Sequence, residues 1–111
     1  MYQTQTQKIN TIQLVAGYIG LKFGVNAGYI LNQNPSATIP EPRRICIWLC
    51  MELLHDADLI GMIMGRSRQS IANTYLALSK QVDSKKLENC AQLEGYLIEL
   101  KNISKSEAEN H

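Results

Sequence analysis

The sequence predicts an all-α fold, a compact bundle of about six helices. Apolar residues recur three and four positions apart in each long segment, which is the spacing of one helix face. No segment alternates apolar and polar residues as a half-buried strand does. The 111 residues include only seven glycines and three prolines, so helix breakers are few, and the length suits one domain with a true core.

The N-terminal third of the chain predicts two helices followed by a loop. The first helix carries an apolar stripe formed by Ile9, Ile12, Val15, Ala16 and Ile19. It is expected to follow a flexible N-terminus over residues 1–8 and to end near Gly20. A short second helix is expected over 26–31, and residues 32–42 are expected to form a loop because they contain all three prolines.

Two further helices are expected after this loop. The third covers 42–55, with Pro42 in its first turn, where a missing N–H has no cost. This helix is apolar almost all round, which predicts a central place in the core. Asp56 is a suitable N-cap for the fourth helix, which is expected to end near Gly65.

The last two predicted helices have one buried stripe each. Ser67 is a suitable N-cap for the fifth helix, over 68–82. Its core-facing residues are Ile71, Tyr75, Leu78 and Val82. Asp83 and Ser84 offer caps for the sixth, whose stripe is Leu87, Cys90, Leu93, Leu97 and Leu100. The domain is therefore expected over 9–103, with a flexible polar tail over 104–111.

The three cysteines favour buried thiols over a metal site. Cys46 and Cys50 lie one helical turn apart inside the apolar third helix, and Cys90 lies in the sixth. A metal site needs further ligands, and His55 is the only candidate nearby. We therefore expect neither a metal nor another cofactor.

Charge is distributed unevenly, although the net charge is only +1. Residues 43–86 contain seven Lys or Arg against four Asp or Glu, whereas residues 87–111 contain two against five. Between Gly65 and Lys80 there are three cations and no acid. A neutral protein can still present a basic face to phosphate, so this distribution permits DNA binding without requiring it.

The sequence also argues against several classes of function. No apolar run reaches the roughly 18 residues that a membrane span needs, and the polar start MYQTQTQKIN lacks the layout of a signal peptide. A cytoplasmic protein without membrane contact is therefore expected. No Ser-His-Asp arrangement, pair of catalytic carboxylates or glycine-rich phosphate loop is present, so an enzyme is not expected.

The segment from Asp56 to Val82 indicates a helix-turn-helix, because a short helix, a glycine-bearing turn and a longer capped helix follow one another. One face of the longer helix is polar and free of acids, and its members are Arg68, Gln69, Ser70, Asn73 and Lys80. Gln and Asn can pair with adenine edges, and Arg with guanine. Ser67 and the N–H groups beside it can hold a phosphate. An ordinary helical hairpin with a solvated outer face is the alternative.

From Thr11 to Leu100 the chain resembles the C-terminal DNA-binding domain of the bacterial replication initiator DnaA. PRRICIWLCMELL is similar to that family's PRQVAMYLARELT, and MGRSRQSI is similar to its signature FGRDHTTV. TIQLVAGYIGLKFGVNAGYIL resembles the family's first helices. The resemblance implies a Trp-repressor-like, DnaA-type fold and binding of double-stranded DNA, as a replication-initiator-like, regulatory or mobile-element protein.

The resemblance also implies roles for individual residues. Arg43 matches an arginine near the DNA backbone, and Arg66 matches the arginine of the signature. Gln69 and Ser70 match its paired threonines, which contact bases or backbone in the major groove. Lys80 stands where a late cation of the recognition helix touches phosphate. Four phosphate contacts, from Arg43, Arg66, Arg68 and Lys80, would give a log–log salt slope of about −3 to −4 and weak binding by one module.

Departures from the family pattern favour a second hypothesis, a protein-interaction module that keeps the fold. Ser67 and Arg68 replace an Asp and a His of the signature, and the loop before the third helix lacks the family's arginines. There is no GxxxxGK[ST] motif, so a DNA-binding domain without the family's ATPase is expected. Met51 and Met62 replace polar residues, which indicates either core packing or a patch for a homodimer or protein partner.

Overall fold

The computed structural model describes residues 4–31, 41–83 and 90–109, and this part of the chain consists of helices and short connections, without a strand. Its helices are α1 Gln5–Phe23, α2 Ala27–Ile30, α3 Glu41–Leu54, α4 Ala57–Met64, α5 Arg68–Asp83 and α6 Cys90–Glu109. The predicted all-α bundle of six helices is confirmed. Within these ranges no helix has the length and apolar character that crossing a membrane requires.

Helix α1 is longer at both ends than its apolar stripe predicted. Thr4 and Gln7 form a capping box, in which the Thr4 N–H donates to Gln7 Oε1 at 2.8 Å and the Gln7 N–H donates to Thr4 Oγ1 at 3.1 Å. Residues 5–8, expected in a flexible terminus, are therefore helical. The helix also passes through Gly20 and ends at Phe23, because Gly24 provides the left-handed C-cap.

Helix α3 is the centre of the molecule, as its all-round apolar character predicted. It contacts α1, α2, α4, α5 and α6, and every residue from Ile45 to Cys50 is buried. Cys46 and Cys50 are free buried thiols, which confirms the prediction for this pair. The contact with Cys46 and then burial raise the pKa of Cys50, so its thiol stays protonated. The side chain of Cys90 lies outside the described part.

Helix α6 packs on α3 through a stripe that was partly predicted. Leu93, Tyr96 and Leu100 are buried, and Leu97 packs partly against the core. The Tyr18 hydroxyl on α1 donates to Glu99 on α6. The helix continues to Glu109, so the backbone of 104–109 is helical where a flexible tail was expected. Asp83, predicted as a cap of α6, ends α5 instead. Residues 32–40 of the loop predicted over 32–42, the Ser84 cap and Leu87 lie outside the described residues. Glu41, also expected in that loop, begins α3.

Asp56 caps α4 as predicted and also joins this helix to α1. Its Oδ1 accepts from the Leu59 N–H at 3.1 Å, and its Oδ2 lies 3.0 Å from Lys8 Nζ. These two contacts, the backbone one first, hold the pKa of Asp56 below its ordinary value. A lowered pKa means that the carboxylate stabilises the fold above the unfolded pKa, and that this stability is lost as the pH falls through the folded pKa.

Asp56→Ala is expected to lower the free energy of unfolding at neutral pH by about 1 kcal/mol, because the cap is lost. Asp56→Asn keeps a capping oxygen and removes the titration, so we expect a smaller loss and a weaker fall in stability between neutral and acidic pH. Urea unfolding at both pH values measures this, with Asp58→Asn, in the same helical turn but not capping, as the control. An unchanged pH dependence in Asp56→Asn contradicts the assignment.

Candidate nucleic-acid interface

Two glycines shape the turn between α4 and α5: Gly61 lies inside α4, and Gly65 is its C-cap. Gly65 has a φ of 67° and ends the helix in the left-handed conformation. The N–H groups of Gly65 and Arg66 both donate to the Gly61 carbonyl, that of Arg66 at 2.8 Å. A Cβ on Gly61 would lie 2.4 Å from the Arg66 carbonyl oxygen. The chain therefore folds back against Gly61 immediately before α5 begins.

Ser67 caps α5, as the sequence predicted. Its hydroxyl oxygen accepts from the Ser70 N–H at 3.1 Å, and its carbonyl accepts from the Ile71 N–H at the same distance. Ser67 is exposed and Ser70 is half-buried. The hydroxyl of Ser67 is thus already engaged in the cap, and the phosphate contact expected of it has to share that oxygen.

The inner face of α5 is fixed to α3 by apolar and polar contacts. The predicted core-facing residues Ile71, Leu78 and Val82 are buried, and Tyr75 packs partly against the core. Two hydrogen bonds join the helices: Trp48 Nε1 donates to Ser79 Oγ at 3.1 Å, and the Tyr75 hydroxyl donates to Glu52 Oε1 at 2.9 Å. These contacts fix the rotation of α5 about its axis and turn the opposite face to solvent.

The outward face of α5 contains the predicted polar residues. Arg68, Gln69, Asn73 and Lys80 are all exposed. Gln69 Nε2 donates to Asn73 Oδ1 at 3.0 Å, one turn along the helix. Leu76, which the sequence analysis did not single out, is also exposed on this face. Its spacing of seven residues from Gln69 was a sufficient signal, because residues seven apart share a helix face.

This face is not as free of acids as the local sequence indicated. Arg68 Nε lies 3.9 Å from Asp58 Oδ1 on α4, and the two side chains are 75% and 73% exposed. The sequence interval from Gly65 to Lys80 contains no acid, but the turn brings Asp58 beside Arg68. So exposed an ion pair is weak, and the guanidinium can exchange its partner for another anion.

Arg43 is not at the surface, so this structure does not present it for the DNA contact that the sequence predicted. The side chain is only 4% exposed, and its Nε donates to the Ile30 carbonyl at the end of α2, at 3.1 Å. Burial lowers the pKa of Arg43, and the nearby positive charge of Arg66 lowers it further. Arg43 lies one turn before Cys46 and Ile47 on the face of α3 that enters the core, so it cannot reach a phosphate without repacking.

Arg44 is the residue of the Pro-Arg-Arg sequence that faces α5, and sequence reasoning missed it. It is half-buried and lines a groove of about 250 Å³ along α5. The other lining residues are Asn73, Thr74, Ala77, Leu78 and Gln81. Arg44 precedes the half-buried Met51 by seven residues and so marks the less buried edge of α3. Arg66, in the turn before α5, is half-buried, and its Nε atom is buried.

The methionines of the predicted interaction patch differ in exposure. Met51 is half-buried and packs against the core, whereas Met62 on α4 is 59% exposed. Met62 borders a depression of about 400 Å³, which is also lined by Gln5, Lys8, Asp56, Asp58 and Leu59. Met51 therefore belongs partly to the core, whereas Met62 lies at the surface.

No protein-family model, curated protein or solved structure matches this chain in comparisons with known proteins.

Proposed function

We propose that this chain binds double-stranded DNA through a helix-turn-helix formed by α4 and α5, with the first half of α5 in the major groove. One observation carries the proposal. Arg68, Gln69 and Asn73 are exposed together on a helix whose opposite face is fixed to α3. A helix held in one rotation and presenting amide and guanidinium groups has the chemistry that reads base edges.

In this proposal, base contacts and phosphate contacts come from different parts of α5. Gln69 and Asn73 already form an amide pair, whose remaining donors and acceptors match the N6 and N7 atoms of adenine. Arg68 binds guanine or phosphate, and Lys80 binds phosphate about three turns later. The resemblance of MGRSRQSI to the signature of the replication-initiator family supports the same assignment and favours a role in replication, regulation or a mobile element.

Asp58 should limit the affinity, because it competes with DNA for Arg68. We expect Arg68→Ala to weaken duplex binding and to flatten the log–log salt slope by about one unit. Asp58→Asn is expected to tighten binding by about two- to fivefold, the scale of an exposed ion pair. Fluorescence anisotropy with mixed-sequence duplexes at several salt concentrations measures both effects.

Lys101→Gln is the matched control, because it removes one exposed cation from α6, outside the two helices of the proposed interface. It should leave the slope unchanged. Equal losses in Lys101→Gln and Arg68→Ala would mean that only the net charge matters, which would count against a defined face. If the wild-type chain shows no salt-sensitive binding even at low salt, the proposed function is wrong.

Binding of a protein partner is the second candidate, and the exposure of Met62 favours it. A flexible thioether beside the depression lined by Leu59 and the Lys8–Asp56 pair can pack against varied apolar groups. Under this hypothesis α5 keeps the fold and does not contact DNA. Light scattering at increasing concentration separates a homodimer from a monomer, and a monomer throughout counts against self-association.

A further inference from the structure

We infer that Arg44 binds a backbone phosphate of the duplex from the groove between α3 and α5. The inference rests on the proposed function, and adds a contact that neither the signature nor the α5 face includes. The ligand class is a phosphodiester. The site is the groove lined by Arg44, Asn73, Thr74, Ala77, Leu78 and Gln81.

The hydrogen bonding of Arg44 is the first observation behind this inference. Its Nε is buried and has no hydrogen-bond partner within residues 4–31, 41–83 and 90–109. Arg44 also forms no ion pair with a carboxylate in those ranges. Its neighbour Arg43, in contrast, donates its Nε to the Ile30 carbonyl. Because no acceptor in the described part of the chain fixes the Arg44 Nε, the half-buried guanidinium can turn toward the groove, where an anion would supply the missing hydrogen bond.

The composition of the groove is the second observation. Its lining contains one cation, two amides and a hydroxyl but no carboxylate, so no charged group of the lining repels an anion that enters it. Thr74, Ala77 and Gln81 recur at three and four residues and form the stripe of α5 between its buried and outward faces. Because the side chain of Ala77 is small, the middle of this stripe does not protrude. A sugar-phosphate backbone can therefore approach the helix there.

Continuity with the proposed base-reading face is the third observation. Asn73 belongs to both surfaces: it lines the groove, and its Oδ1 accepts from Gln69 Nε2. A duplex whose bases meet Gln69 and Asn73 therefore has backbone within reach of the groove on the α3 side. Arg68 and Lys80 serve the exposed side of the helix, and Arg44 serves the side that faces α3.

Arg44→Gln tests the inference in the anisotropy titration. We expect affinity to fall about tenfold at moderate salt and the slope to flatten by about one unit, since one charged phosphate contact is lost. Arg44→Lys should keep the slope and lose affinity, because an ammonium keeps the charge but not the planar fork. Lys101→Gln is the control of equal charge change, and circular dichroism and urea unfolding establish that each variant is folded.

A direct measurement avoids dependence on the variants' stability. The Nε–H signal of Arg44 in nitrogen-proton spectra, assigned by its absence in Arg44→Lys, is expected to shift when duplex is added, while that of Arg43 stays in place. If duplex binds, responds to Arg68→Ala and leaves both the Arg44 signal and the Arg44→Gln slope unchanged, this inference is wrong and the proposed function stands. An equal shift with inorganic phosphate alone would overturn the assignment to duplex backbone. Absence of any duplex binding by the wild type removes the proposed function itself.

Discussion

Gly61→Ala is expected to lower the free energy of unfolding by about 3 kcal/mol, the upper range for an overpacked site. The added Cβ would lie 2.4 Å from the Arg66 carbonyl oxygen, a distance that real Cβ contacts essentially never show. That oxygen belongs to the backbone of the turn, and the Arg66 N–H is itself bonded to the Gly61 carbonyl at 2.8 Å. Relief therefore requires the whole turn to move, and α5 with it. DNA binding should fall together with stability.

Gly17→Ala is the matched control for this prediction. Gly17 also lies inside a helix, but nothing stands within 4 Å of a Cβ added there. Alanine should therefore stabilise α1 by about 0.4–1 kcal/mol through the lower entropy of the unfolded chain. Urea unfolding of both variants measures the change in the free energy of unfolding, which should be a loss for Gly61→Ala and a gain for Gly17→Ala. A Gly61→Ala protein as stable as the wild type would mean that the turn is loose, which would also weaken the case for a fixed α5.

Helix ends could be predicted where a local capping signal determines them. Asp56, Gly65 and Ser67 set the ends of α4 and the start of α5 through contacts within a few residues, and the sequence sufficed. The end of α1 was misplaced because two glycines compete. Gly20 stays helical to let the Val25 carbonyl approach, and Gly24 is the cap.

The two glycine turns follow one rule, which is visible in the sequence. GLKFGVN after α1 and GMIMGRS after α4 both place a close-approach glycine four residues before a left-handed one, and an N-cap follows two residues later. In both, the N–H after the second glycine donates to the carbonyl of the first, at 2.9 and 2.8 Å. With this rule the end of α1 at Phe23 could have been predicted.

The outward face of α5 was predictable, whereas the roles of the two arginines on α3 were not. On α5 the helical period separates apolar from polar residues, so Gln69 and Asn73 could be placed without coordinates. Helix α3 is apolar all round, so its sequence pattern does not indicate which face is exposed to solvent. Which of Arg43 and Arg44 is buried depends on where α2 ends and α5 lies, and neither is a property of the local sequence.

Arg43→Ala is expected to reduce the free energy of unfolding by about 3 kcal/mol, the second large effect. The variant removes a long buried side chain and leaves the Ile30 carbonyl without the bond from Arg43 Nε. It should leave the salt slope of duplex binding unchanged in the folded protein, because the guanidinium does not reach solvent. Urea unfolding and anisotropy on the same samples measure the two effects separately.

Arg43→Met separates packing from hydrogen bonding in this prediction. Methionine refills most of the volume without a charge, so we expect it to recover more than half of the stability lost in Arg43→Ala. The substitution also removes the positive charge of Arg43, which is repelled by the positive charge of Arg66. Neighbouring arginines should thus give opposite results: Arg43 variants change stability with a constant slope, and Arg44→Gln changes the slope with little loss of stability. A slope flattened by one unit in Arg43→Met would show that the buried arginine comes out to meet phosphate, and the division of roles between the two would be wrong.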